Sequence, residues 1–267
     1  MTDPERYPDG SADRGDGEPT PRQLSRLVAA TAVVTGLAVG VVTVGWDGQP
    51  TAPSLSGIAA GFLAVVVVSR RTLARASETA GPQPITAATW VTLARGWLLI
   101  AFAGVVLTGP AGDAGAWVAA GLFAGAAALD AVDGAVARRR NAVSEFGGRL
   151  DTEMDALLVL AGTAAAVYDG SAPLVFLAVG LARYAFVAGI RLRRVRGLPV
   201  TALHPSQFRR ATGAVVMTTA FLALAPVPGP TFSWWIAAVV SVPVLGHFGW
   251  DWLAVSGRID TGAGESP

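Results

Sequence analysis

Apolar residues run along this chain in long blocks, with polar and charged residues gathered between them. The first block covers residues 27–46, 20 positions with no charge, long enough as a helix to cross a hydrocarbon core of about 30 Å. A second block covers about 52–69, and others follow over about 89–107, 114–138, 144–168 and 173–190. Residues 211–250 then carry no charge across 40 positions. A single helix of that length would reach about 60 Å, twice the membrane, and Pro226, Pro228, Gly229 and Pro230 break it in the middle. The pattern predicts an all-α polytopic membrane protein with eight spans, a core of six preceded by two additional N-terminal helices.

Composition agrees with that reading. Hydrophobic residues make up 52% and charged residues 15%, with a mean hydropathy of +0.50, which excludes an ordinary soluble domain. Residues 1–25 are rich in Pro, Gly, Asp and Arg, lack an apolar run, and predict a disordered tail. The length of the first apolar block points to a span rather than a cleavable signal peptide. The chain therefore divides into a tail (1–25), a two-helix extension with its linker (26–84), a six-helix domain (85–256) and a second tail (257–267). There is no cysteine, so disulfides, thiol catalysis and cysteine-ligated metals are excluded. The net charge of +1 gives no reason to expect a nucleic-acid partner.

The chain has no lysine, and its arginines set the orientation. With a cytoplasmic N-terminus, the inner segments hold Arg6, Arg14, Arg22, Arg26, Arg70, Arg71, Arg75, Arg138, Arg139, Arg140 and Arg149, then the arginines from Arg191 to Arg210 and Arg258. The outer turns hold no arginine and carry Asp47, Asp113 and Asp169 instead. That asymmetry follows the positive-inside rule and predicts a multi-pass protein of the cell membrane. Trp46, Trp117, Trp234 and Trp235 fall at outer ends of spans, and Trp90, Trp250 and Trp252 at inner ends, as aromatic belts require.

Against this apolar background stand four aspartates in one stretch: Asp130, Asp133, Gly134, Ala137, Arg138, Gly147, Asp151 and Asp155, in the pattern D-x2-D-G-x2-A-R-x8-G-x3-D-x3-D. Ionisable groups at membrane depth are costly and mark functional sites. On a helix, Asp130, Asp133, Gly134 and Ala137 share one face, and Asp151 and Asp155 share a face of the next. Gly134, Ala137 and Gly147 leave room for close approach of a backbone or a ligand. Two acidic faces joined by a short connection make an oxygen-rich cage that would repel itself without a cation and suits Mg2+ or Mn2+. Arg138 can offer a forked donor to phosphate.

Position for position, this stretch resembles the signature of the CDP-alcohol phosphotransferases, membrane enzymes that make phospholipids. The resemblance is specific over about 86–155 and architectural from there to about 255. It implies a six-helix catalytic domain that joins a CDP-linked donor directly to a hydroxyl acceptor and releases CMP. It further implies that Asp130, Asp133, Asp151 and Asp155 hold two divalent ions, Mg2+ or Mn2+, and that Asp155 takes the acceptor proton as catalytic base. Asp130, Gly134, Ala137, Arg138 and Gly147, with Thr92, would then contact the CDP group. The placement also puts the active site at the cytoplasmic membrane face.

Other positions say less. Thr89 stands where the family commonly has Asn, and Arg95 either contacts the donor phosphate or snorkels to the interface. Arg183 lies deeper in its span and calls for a polar partner or ligand. Arg183, Arg191 and Arg194 are candidates for an acceptor or lipid phosphate, against a plain positive-inside loop that also includes Arg209 and Arg210. His204 and His247 lack ligand spacing, and Asp251 between two tryptophans reads as interfacial.

Two other classes compete: a transporter with an acid-lined path, and an inactive scaffold. A transporter places its acids near mid-membrane on broken helices, whereas these cluster at one face; a scaffold need not keep all eight motif residues. The expected donor is CDP-diacylglycerol and the acceptor a polyol, a polyol phosphate or an amino alcohol. Thr152 and Ala156 stand where makers of phosphatidylglycerophosphate often carry Pro and Lys, which argues against that product. The first two spans have no family counterpart; packing against membrane lipids or oligomer contacts, a homodimer included, are their default role.

Overall fold

Local capping chemistry fixes where the helices begin. The structure, a computed structural model, describes residues 21–45, 51–81, 83–109, 112–140, 144–201 and 207–259, without the side chains of 21–22, 41–45, 130–140 and 207–210. Among these residues all regular structure is helical: α1 (Pro21–Gly45), α2 (Ala52–Ala80), α3 (Ala87–Thr108), α4 (Gly112–Arg140), α5 (Glu145–Tyr168), α6 (Leu174–Val195), α7 (Gln207–Leu224) and α8 (Pro230–Val255). Thr51 caps α2 by accepting from the Ser54 amide, and Thr86 and Thr89 cap α3 reciprocally. Ser144 caps α5 by accepting from the Gly147 amide at 3.0 Å. The break expected near residue 226 falls at 225–229, between α7 and α8, with Gly229 at φ 100°.

The predicted all-helical membrane architecture is borne out, with two differences of extent. Six of the eight helices are long and apolar enough to cross a membrane: α1 over Gln23–Gly40, α2, α3, α4 over Gly112–Leu129, α6 and α8. The other two fall short by composition. The first half of α5 carries Asp151, Glu153 and Asp155, and the apolar part of α7 is only Ala211–Leu224. Second, α2 does not stop near residue 69 but continues to Ala80. Its extra turns stay helical because Thr72, Leu73, Ala76 and Ser77 are buried on one side while Arg71 and Arg75 remain outside. Large apolar side chains such as Leu37, Leu63, Leu174, Val239 and Val242 face outward, as lipid contact requires and a water-exposed surface would not. Trp90, Trp117, Trp234, Trp235 and Trp250 are exposed. Trp252, near the end of α8, is partly exposed; its ring packs edge-on against Phe186 at 5.9 Å and fills the space beside Gly189. Trp46 lies outside the described residues.

Small residues set the helix spacing. A Cβ on Gly57 would run into the Ala103 carbonyl, and one on Gly104 would stand 2.6 Å from Ile58 Cγ1, so α2 and α3 touch backbone to side chain. Overpacking such a contact costs about 1–3 kcal/mol. Gly57→Leu should therefore lower the thermal midpoint of the detergent-solubilised protein by several degrees, read by intrinsic tryptophan fluorescence; an unchanged midpoint would contradict this packing.

The N-terminal pair is joined to the core by polar contacts as well. Gln83 is buried between α2 and α3; its carbonyl accepts from Gln23 Nε2 at 2.9 Å, and its Oε1 accepts from the Phe146 amide at 3.3 Å. One residue thus ties α1, through its backbone carbonyl, and the first turn of α5, through its side chain, to the α2–α3 connection.

Candidate functional site

The two halves of the aspartate motif lie on consecutive helices, α4 and α5. Asp130 lies ten residues before the end of α4 and Asp155 ten residues after the start of α5, so each stands about 15 Å along its helix from the shared turn. By the same count Asp133 lies seven residues before the end of α4 and Asp151 six after the start of α5, and the two helices touch. The helix is continuous through Arg140, so Asp130, Asp133, Gly134 and Ala137 keep their common face. The side chains of these residues and of Arg138 lie outside the described residues.

On the α5 side the geometry is explicit. Arg95, fully buried on α3, places Nη1 2.5 Å from Asp155 Oδ1 and 3.1 Å from Asp151 Oδ1. Both carboxylates are partly exposed, at 36% for Asp151 and 38% for Asp155. Of the two readings of Arg95, snorkelling is corrected: the guanidinium is withdrawn from the interface and held by acids on the neighbouring helix. A buried guanidinium requires such partners, since an unpaired one would cost several kcal/mol. Arg95 also supplies, within the protein, part of the positive charge that the clustered acids need.

Gly147 lies in the first turn of α5, where it faces its own cap and the start of α3. A Cβ there would stand 3.0 Å from Ser144 Oγ and 3.5 Å from Thr89 Oγ1. Thr89, in the place where the family commonly has Asn, is buried and caps α3. Thr92, one turn before Arg95 on its own helix, is buried and donates to the Ala88 carbonyl at 3.2 Å. Phe146 and Leu150 are fully buried and anchor the first turns of α5.

The donor chemistry fits a hard divalent cation in part. Asp151 and Asp155 each turn Oδ1 toward Arg95 while both carboxylates stay partly exposed, and carboxylate oxygen is the ligand type that suits Mg2+ or Mn2+. A set of four is reached only with Asp130 and Asp133.

Beside these acids lies a cavity of about 660 Å³ between α5, α6, α7 and α8. Asp155, Arg183, His247 and Asp251 supply its ionisable groups, and Val159, Phe186, Met217, Val244 and Phe248 much of its wall. An apolar chamber with few polar groups at one end suits an amphipathic ligand. His247 Nε2 stands 3.6 Å from Asp251 Oδ2 across one turn of α8. That four-residue spacing was visible in the sequence, whereas the placement of the pair opposite Asp155 was not.

Arg183 finds the polar partner expected for it in Glu153, at 3.6 Å. With Arg191 it lines a second cavity, whose described wall does not include Arg194. Arg193 is a brace: it donates to the Pro199 carbonyl at 2.9 Å and the Ser256 carbonyl at 3.1 Å, tying the α6–α7 turn to the end of α8. His204 and the side chains of Arg209 and Arg210 lie outside the described residues.

Residues 85–245, more than half of the chain, match the family model described as CDP-alcohol phosphatidyltransferase. Comparison with curated proteins and with solved structures found no match.

Proposed function

We propose a reaction for this chain from one premise: it belongs to the CDP-alcohol phosphatidyltransferase family. Such enzymes are transferases of phospholipid biosynthesis that move a phosphate-linked alcohol from a CDP-alcohol to an acceptor. The donor here is CDP-diacylglycerol, and the acceptor is a small alcohol. The observation that carries this reading is the convergence of Asp151 and Asp155 on one nitrogen of Arg95, beside a largely apolar cavity open to Asp155.

In the reaction the acceptor oxygen forms a bond to the phosphorus that bears diacylglycerol. The bond from that phosphorus to the bridging oxygen breaks, and CMP leaves with the electron pair. Asp155 receives the acceptor proton. Asp130, Asp133, Asp151 and Asp155 would hold two divalent ions, Mg2+ or Mn2+, which would supply charge to offset that of the diphosphate. Gly134, Ala137 and Gly147 leave space for the cytidine and its phosphates, with Arg138 as a forked donor and Thr92 near the nucleotide. Arg95 orients Asp151 and Asp155 from behind, so that their outer oxygens face the ligand.

We place the protein in the cell membrane with its N-terminus and this site on the cytoplasmic side. Supporting this, Arg71 and Arg75 of α2, Arg149 at the start of α5 and Arg191 near the end of α6 line one cavity, in keeping with the positive-inside rule.

Two experiments test the reading. Incubation of the purified protein with labelled CDP-diacylglycerol and a panel of polyols, polyol phosphates and amino alcohols should give a labelled lipid with one acceptor class. Intact donor in every reaction would contradict a CDP-diacylglycerol transferase. Chelation of divalent metal should abolish turnover, and Mg2+ or Mn2+ should restore it; full activity in chelator would overturn the metal assignment.

A further inference from the structure

We propose that α2, which precedes the matched region, joins α5 and α6 in a binding site for a phosphate monoester carried by the acceptor alcohol. This deepens the transferase reading and rests on it. The site is the second cavity, of about 460 Å³, lined by Arg71 and Arg75 of α2, Arg149 of α5, and Arg183 and Arg191 of α6. Against these five guanidinium groups, Glu153 is the one carboxylate among the described lining residues. Glu153 pairs with Arg183, and Arg149 pairs with Glu145 one turn away, which leaves the α2 arginines and Arg191 in excess. Like charges around one concavity repel, and an anion between them relieves that repulsion.

The orientation of α2 makes this more than a basic membrane edge. Val68, Arg71, Thr72 and Arg75 line the cavity and fall at i, i+3, i+4 and i+7, a single helix face. Arg70, adjacent in sequence, is not on that face. Burial of Leu73 and Ala76 against the core locks the rotation of α2, so the two arginines are held toward the cavity. Two guanidinium forks one turn apart suit the several oxygens of a phosphate monoester, which carries close to two charges at neutral pH.

Its position connects the site to the reaction. Thr152, Arg183 and Val187 line both this cavity and the one that Asp155 lines. A small acceptor with its phosphate against the α2 arginines can therefore extend a hydroxyl past Thr152 and Arg183 toward Asp155. Residues 71 and 75 lie before residue 85, where the family match begins, whereas Arg149, Arg183 and Arg191 lie within it, so the extension completes a site begun by the matched region.

The same monoester occurs on a lipid, phosphatidic acid, and the test separates the two sources. The full chain is placed in nanodiscs of neutral phosphatidylcholine, and equilibrium binding of inorganic phosphate, glycerol 3-phosphate and glycerol is measured. Both phosphates should bind saturably and glycerol should not. Arg71→Gln with Arg75→Gln should weaken phosphate binding by at least about tenfold, since hydrogen bonds between charged groups are the stronger ones, while Arg70→Gln leaves it unchanged. Both arginines are exposed, and an unchanged melting temperature of the double variant checks its fold. Equal phosphate binding by the wild type and the double variant would overturn the proposal. So would loss of soluble phosphate binding when phosphatidic acid is added to the bilayer, which would give the site to a lipid headgroup. CMP release from CDP-diacylglycerol with the acceptor panel is read on the same preparation. Its absence with every acceptor counts against the transferase reading, whereas CMP release with phosphate binding indifferent to Arg71 and Arg75 counts against this inference alone.

Discussion

Asp155→Asn should slow transfer by about 100- to 10,000-fold, the usual cost of removing a positioned base, while leaving the CDP-linked donor bound. Asp155 is half-exposed at the mouth of the apolar cavity, one turn beyond Asp151, where a lipid-linked phosphate would meet the acceptor hydroxyl. The asparagine keeps the shape and can still accept from Arg95, so the buried guanidinium retains both neighbours. What is lost is the negative charge and the ability to take a proton. The donor contacts assigned to Asp130, Gly134 and Arg138 are untouched. Donor affinity measured by equilibrium binding and turnover measured on the same preparation separate the two effects. Wild-type turnover, or weakened donor binding that accounts for the whole loss, would reject Asp155 as the base.

Asp133→Asn should remove activity more completely. Asp133 stands mid-face on α4, between Asp130 and Ala137, seven residues before the end of the helix. A carboxylate central to the cage contributes to the charge that holds the cations, and metal-based charge stabilisation is worth several kcal/mol, or at least about a thousandfold in rate. Because the asparagine is nearly the same size, the protein should still insert, purify and melt as the wild type does. CMP release at the wild-type rate would contradict the assignment of Asp133. Aggregation or loss from the membrane would instead show that its charge serves folding.

The sequence carried some of this more plainly than the rest, for physical reasons. The helices of the membrane domain were legible because an apolar block long enough to cross a bilayer has few alternatives. The two-sided acidic motif was legible because helical periodicity fixes which of its residues share a face. The true end of α2 was hidden: after residue 69 its pattern changes from all-round apolar to amphipathic, which reads as an exit from the membrane although the helix continues. Acids in the first half of α5 and the short apolar run of α7 lower the mean hydropathy of these two helices below that of the other six. Neither the pairing of Arg95 with Asp151 and Asp155 nor the role of Gln83 has any local signature. The members of each contact are about 60 residues apart in sequence and meet only because α3 and α5 pack together. The gathering of Arg71 and Arg75 with Arg149, Arg183 and Arg191 likewise depends on the rotation of three helices, which the positive-inside rule alone does not specify.

The most direct test of the central claim is acceptor-dependent release of CMP from CDP-diacylglycerol by the purified wild-type protein and by Asp133→Asn, in the same bilayer with Mg2+ or Mn2+ present. A transferase built on the α4–α5 aspartates predicts CMP release in step with lipid product for the wild type and none above background for the variant. No CMP from the wild type with any acceptor, or equal release from both proteins, would contradict it.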